Sequence, residues 1–173
     1  MNKNELKKEL ISHHAHFIKS MQSLPKEQWH VSYNEKWSAA QLLDHLVKSV
    51  SPVKSALSLP AFLLQFIFGK ANRKSRSYDE LVARYHEKLE AGGQASSRFV
   101  PPQKPDAIDI LSLQLEKIVN SLATKIDSFS EDQLDRLILP HPLLGRLTLR
   151  EMLYFTIYHV QHHQRQLETQ STT

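Results

Sequence analysis

No cysteine occurs among the 173 residues. Disulfides, thiolate nucleophiles and cysteine-ligated zinc or iron–sulfur centres are therefore excluded. Any metal must be held by His, Asp, Glu or backbone oxygens. Glycine is scarce, with 4 in all. Phosphate-cradling loops need several at fixed spacing, and the pair Gly92-Gly93 fits no such pattern. Long apolar runs are also missing. The longest, from Leu57 to Phe68, is broken by Ser58, Pro60 and Gln65, whereas a bilayer span takes about 20 residues. The start, MNKNELKKEL, lacks the apolar segment of a signal peptide. With no disulfide to form, this suits a cytoplasmic chain that stays off membranes.

What is present describes a folded protein. Apolar residues make up 40% and charged residues 23%, a globular balance. The length fits one domain over residues 1–173, large enough to bury a sizeable core. The net charge of +4 is only mildly basic. The basic run Lys70, Arg73, Lys74, Arg76 meets no aromatic residue until Tyr78, so the interleaved stacking groups of a single-strand binder are missing. A solvated loop is expected there, and no nucleic-acid partner. Ten histidines are the unusual feature.

Periodicity reads as helix nearly throughout. Leu6, Leu10, Ile11, His14, Phe17, Ile18 and Met21 recur at three- and four-residue steps over residues 4–23, and Pro25 follows. A connector covers residues 29–36. Ser38 and Gln41 form a capping-box pair before Leu42, Leu43, Leu46, Val47 and Val50, and Pro52 is expected to kink or end that helix. Residues 61–68 make a short apolar helix, and 57–68 as a whole are expected to serve as core or pocket wall. Ser77 or Asp79 caps the next helix, which stops at Gly92-Gly93. Residues 94–105, with three prolines, form a loop. A long helix begins at Asp106 and carries apolar residues to Ile126. A helical turn follows Ser130. Residues 138–147 hold a small hairpin at most. Thr148 and Glu151 form a second capping box before a last helix over residues 149–167. The expected class is all-α: four main helices in a bundle, plus short extra helices.

Chemistry concentrates in the last helix, at YHVQHHQRQL. His159 and His163 are four residues apart, so they share a face with Cβ atoms roughly 5–6 Å apart. Two such imidazoles can converge on one divalent ion. Their stripe also carries Met152, Thr156 and Val160, so it turns inward; His162 is rotated off it. A third ligand is needed, and His45, beside Leu46 on the inward side of the second helix, is the best placed. Three imidazoles leave a coordination position free for water or substrate. Spacing alone leaves the plain readings open. Such a pair also decorates helices without a metal, and a single His among leucines is also found as an ordinary core residue. Glu116 is the nearest thing to a general base, though a solvated charge is the simpler reading. In the first helix His14 shares the phase of Leu10 and Phe17 and should touch the core, while His13 and His16 point outward.

Three segments add weight: WSAAQLLDHLVKS at 37–49, HPLLGRLTLREMLYFTIYH at 141–159 and HVQHHQRQL at 159–167. Their order and spacing resemble the DinB-like (DNA-damage-inducible, YfiT-related) superfamily of metal-dependent hydrolases and thiol S-transferases. Trp37, His45, Thr148, His159, His163 and Gln166 fall at the corresponding places. The resemblance implies a four-helix bundle with a long crossover connection and often a homodimer. It implies a divalent metal, nickel or zinc, on His45, His159 and His163. It also implies transfer of a low-molecular-weight thiol such as bacillithiol to a small-molecule electrophile, or hydrolysis. A non-catalytic metal-binding, small-ligand or partner-docking bundle in stress response is the alternative.

Overall fold

Among the described residues, five helices open with the same reciprocal cap, in which a side chain at the helix start accepts the backbone N–H three residues on and that residue's side chain returns the bond. The pairs are Asn2/Glu5, Ser38/Gln41, Ser77/Glu80, Ser130/Gln133 and Thr148/Glu151. These caps set where each helix starts, and the helices beginning at Ala39 and Leu149 start where their capping-box pairs imply from the sequence. The computed structural model describes residues 1–32 and 36–170. Part of the connector expected over residues 29–36 lies outside the described residues.

Four long helices make the bundle: α1 (Lys3–Gln22), α2 (Ala39–Leu57), α5 (Ile108–Ile126) and α7 (Leu149–Gln170). α2 and α1 both pack on α5 and on α7. Between α2 and α5 runs the long crossover, carrying α3 (Ala61–Phe68) and α4 (Tyr78–Glu90). Between α5 and α7 come the short α6 (Glu131–Arg136) and a hairpin of β1 (Ile138–His141) and β2 (Gly145–Thr148). The two strands are antiparallel, with His141 opposite Gly145, whose φ of 78° suits only glycine at low cost. The fold is all-α, as expected.

Two expectations are corrected. Pro52 does not end α2, which continues through it to Leu57. Burial of Val53 and Leu57 beyond the proline offsets the one backbone bond it deletes. The apolar run 57–68 is also divided in its role. Leu57 and Leu64 are core, but Phe62, Phe66 and Ile67 are exposed by 69%, 88% and 55%. α3 turns 110° away from α2, so only one side of it meets the body of the protein. Among the described residues no single helix is long and apolar enough to cross a membrane.

The basic run is less solvated than expected. Glu151, fully buried, accepts Arg73 Nη1 at 2.5 Å and Nη2 at 2.7 Å, the Arg76 backbone N–H at 2.7 Å and the Thr148 N–H at 2.9 Å. Burial alone would raise its pKa, but these donors outweigh it and hold the carboxyl below its usual range. The carboxylate thus caps α7 and staples the crossover to it. Glu151→Gln removes the charge while keeping the shape, leaving Arg73 and one backbone N–H poorly matched. A loss of about 2–4 kcal/mol is expected in urea unfolding; a loss under about 0.5 kcal/mol would contradict this role.

His14 is buried as its helical phase requires. Its Nδ1–H donates to the Leu10 carbonyl at 2.7 Å, and its Nε2 has no partner. Desolvation pushes its pKa down from 6.5 to about 4 against that hydrogen bond. The folded pKa lies below the unfolded one, so the unfolded chain binds more protons between them. Stability should therefore fall as pH drops from 6.5 towards 4, with His14 contributing about 3 kcal/mol of that loss. In His14→Gln the stability-versus-pH curve should be flatter over this window; an unchanged slope would refute the assignment.

Candidate metal centre

His45 lies mid-way along α2, and His159 and His163 lie one turn apart on α7. All three are buried, by exposures of 4%, 6% and 5%. The contact of α2 with α7 brings their rings together. His159 Nε2 lies 3.1 Å from His45 Nε2 and 3.0 Å from His163 Nε2. The ligating atoms all fall within 4.8 Å of one another, so the cluster could hold a metal ion. Met152, Thr156 and Val160, expected to turn inward on α7, are buried, as is every residue from Leu149 to Val160.

The partners on the far sides of the rings decide the chemistry. His45 Nδ1 is 2.7 Å from the Phe99 carbonyl. A carbonyl only accepts, so Nδ1 carries the proton and Nε2 presents a bare lone pair. His163 Nδ1 is 2.8 Å from Gln166 Oε1, whose amide nitrogen donates to His162 Nε2 at 3.0 Å. His163 therefore also turns a bare Nε2 inward. His159 can donate a single proton to one of these two, so at least one lone pair is left facing nitrogen. A cation at the centre satisfies all three together. Ligand nitrogens around a tetrahedral ion at 2.0–2.1 Å are separated by roughly 3.3 Å, close to the separations seen. The donor set fits a divalent metal, and the outer partners are of the kind that orient metal-binding imidazoles.

Electrostatics point the same way. Desolvation, reinforced by the neighbouring rings, holds His159 and His163 well below the usual histidine range. Burial lowers His45 as well, against its bond to Phe99. Neutral imidazole is the ligating form. Trp37 flanks His45 with ring centroids 4.9 Å apart, and Phe155 stacks on His159 at 4.8 Å.

A cavity of about 710 Å³ opens onto the cluster. Its walls are mainly apolar, from Val53, Phe68, Leu139, Leu143, Met152 and Phe155. Among the described residues lining it there is no Asp or Glu. Tyr85 also lines it; burial pushes that hydroxyl up to about 12 and keeps it neutral. Glu116 is elsewhere. It borders a separate, smaller cavity with His14, Val119 and Asn120. His13 pairs with Glu9 at 3.1 Å and His16 is exposed, so the first-helix histidines do not assemble.

Two contributors escaped the sequence reading. The Phe99 carbonyl comes from the stretch 94–105, which is not a free loop. Lys48 Nζ donates to Val100 O at 3.1 Å and Gln41 Nε2 to Pro102 O at 3.1 Å, strapping it along α2. A backbone carbonyl leaves no mark in a sequence. His141, at the end of β1, also lines the cavity, with its pKa lowered to about 4 by burial. The hairpin expected at 138–147 was the available signal for it.

Comparison with known proteins places this geometry in a family. An uncharacterized protein of Bacillus subtilis (strain 168), YuaE, is 28% identical over 141 residues, covering 78% of this chain and 76% of that one. No solved structure matches. A family model, the DinB superfamily, matches residues 9–167. Residues 9–167 take in most of each of the four bundle helices and the three-histidine cluster, and the chain belongs to the DinB superfamily.

Proposed function

We propose that the protein is a metal-dependent enzyme that holds one divalent ion, nickel or zinc, on the Nε2 atoms of His45, His159 and His163. Its reaction joins a low-molecular-weight thiol to a small electrophile. The observation that carries this is the convergence of three imidazole nitrogens, two of them with the ring proton fixed on the far side. An ion so held supplies Lewis acidity, lowering the pKa of a thiol or water in its remaining coordination position.

The chain's own groups do the rest. Phe99 O and Gln166 Oε1 orient two of the rings. The apolar walls exclude water and bind the electrophile by its carbon surface. The described lining offers no carboxylate to act as a general base. That supports a nucleophile that ionises readily, a thiol near pKa 8.5, over water, and makes hydrolysis the second choice. Function as a homodimer is part of the same reading.

Protein purified without nickel affinity resin should carry about one divalent ion per chain by elemental analysis. His159→Ala should lose most of it, and metal-dependent consumption of a small thiol by an aryl halide should vanish with it. Full occupancy in His159→Ala would overturn the ligand set. Thiol consumption indifferent to chelator would overturn the reaction.

His45→Ala makes a finer test. Its bond to Phe99 O and its packing on Trp37 mean that the metal-free variant should itself lose about 1–3 kcal/mol. The metal-loaded variant should lose more, because binding adds about 2.7 kcal/mol when the ion is 100-fold above its Kd. Thermal unfolding of both proteins with chelator and with metal separates the two parts. Equal shifts in both conditions would sink the ligand role.

A further inference from the structure

His141 lines the same cavity as the cluster but belongs to the hairpin. Its Nδ1 lies 3.2 Å from the backbone nitrogen of Leu143 and 3.0 Å from that of Leu144. Both amides can only donate, so Nδ1 is the acceptor. A ring accepting there carries its single proton on Nε2. A doubly protonated ring would turn a donor against two donors. The tautomer is thus fixed by the turn, and it is opposite to that of His45 and His163.

The Nε2–H has no hydrogen-bond partner in the protein among the described residues. Unlike Nε2 of His14, it is not sealed from open space. The ring sits edge-on to Phe155 at 4.2 Å between centroids, and Phe155 stacks on His159 at 4.8 Å. A donor is therefore held beside Phe155, the ring that also stacks on His159, inside a mainly apolar cavity. The one formally charged side chain among the described residues lining that cavity is Arg98, which is exposed.

We propose that His141 is a substrate-binding residue whose Nε2–H donates to an oxygen of the bound small molecule, and that this molecule is an apolar carboxylate or carbonyl compound. It rests on the metal-centre reading only for what the rest of the substrate meets; the donor stands on the hairpin geometry alone. The chemistry matches the cavity. The mainly apolar walls of the cavity of about 710 Å³ take a hydrocarbon body, and a neutral donor whose tautomer the turn fixes suits an oxygen-bearing head. A ligand with several charges would have one exposed arginine to meet them.

His141→Asn is the discriminating variant. Asn places an amide oxygen near the position of Nδ1, so the Leu143 and Leu144 amides keep an acceptor while the Nε2–H is lost. The probe is octanoate, titrated into metal-free and metal-loaded protein. Long-range 1H–15N spectra of the metal-free wild type should show His141 protonated on Nε2, with that nitrogen shifting as octanoate binds. His141→Asn should unfold near the wild-type temperature yet bind octanoate about tenfold more weakly with or without metal. His141→Gln, which restores a donor but not the turn acceptor, should unfold earlier. A proton on Nδ1, equal octanoate affinity in wild type and His141→Asn, or no wild-type binding in the millimolar range would each overturn the proposal. Loss of metal binding without change in the octanoate result would count against the metal centre alone.

Discussion

The burial of α7 is the constraint on which the rest depends. From Leu149 to Val160 every residue of the helix is buried, so no polar group in that stretch can turn to bulk water. Each needs a partner inside the protein or costs about 1–3 kcal/mol. The response is visible residue by residue. Glu151 gathers Arg73, the Arg76 N–H and the Thr148 N–H. Arg150 reaches Glu131 and Asp135, both at 2.6 Å. Tyr158 meets His86 and Arg165. These contacts fix the helix in rotation and height, and that is what carries His159 and His163 to His45.

The cluster itself is the exception to that satisfaction. His45 and His163 find partners for Nδ1 but none of ordinary kind for Nε2, which meets only another imidazole nitrogen. Three nitrogens held in the interior with their lone pairs converging are unfavourable by themselves. The same arrangement becomes favourable around a cation. Desolvation keeps protons off the rings, so a metal ion meets little competition from acid near neutral pH. Chemistry and stability are coupled here, because the residues that would bind the ion also stitch α2 to α7.

The cavity above the cluster divides its tasks between elements. α2 and α7 present the nitrogens, the strapped stretch 94–105 orients one of them, and the hairpin contributes a ring of opposite tautomer. The walls between are mainly hydrocarbon. Such a site matches the small molecule with an apolar body proposed above.

The amino-acid sequence by itself determined the helices, their caps and the all-α class. These depend on spacing along the chain: three- and four-residue apolar steps, and a capping residue three places from its partner. It also determined that His159 and His163 share a face with Met152, Thr156 and Val160, for the same reason. The tertiary structure alone decided what joins them. His45 is named from the sequence by its inward phase and by the resemblance, but it is over a hundred residues away, and its actual approach depends on how α2 packs on α7, which no local pattern encodes. The Phe99 carbonyl and the backbone amides of Leu143 and Leu144 carry no side-chain signature at all. Pro52 inside α2 and the exposed phenylalanines of α3 went against local rules, because burial of neighbouring residues outweighed one missing backbone bond and a sharp turn left one side of a short helix without a partner. The tautomer of His45 belongs to that same class, since the Phe99 carbonyl reaches it only when the chain has folded, whereas those of His163 and His141 are set by neighbours two or three residues on in the same helix or turn.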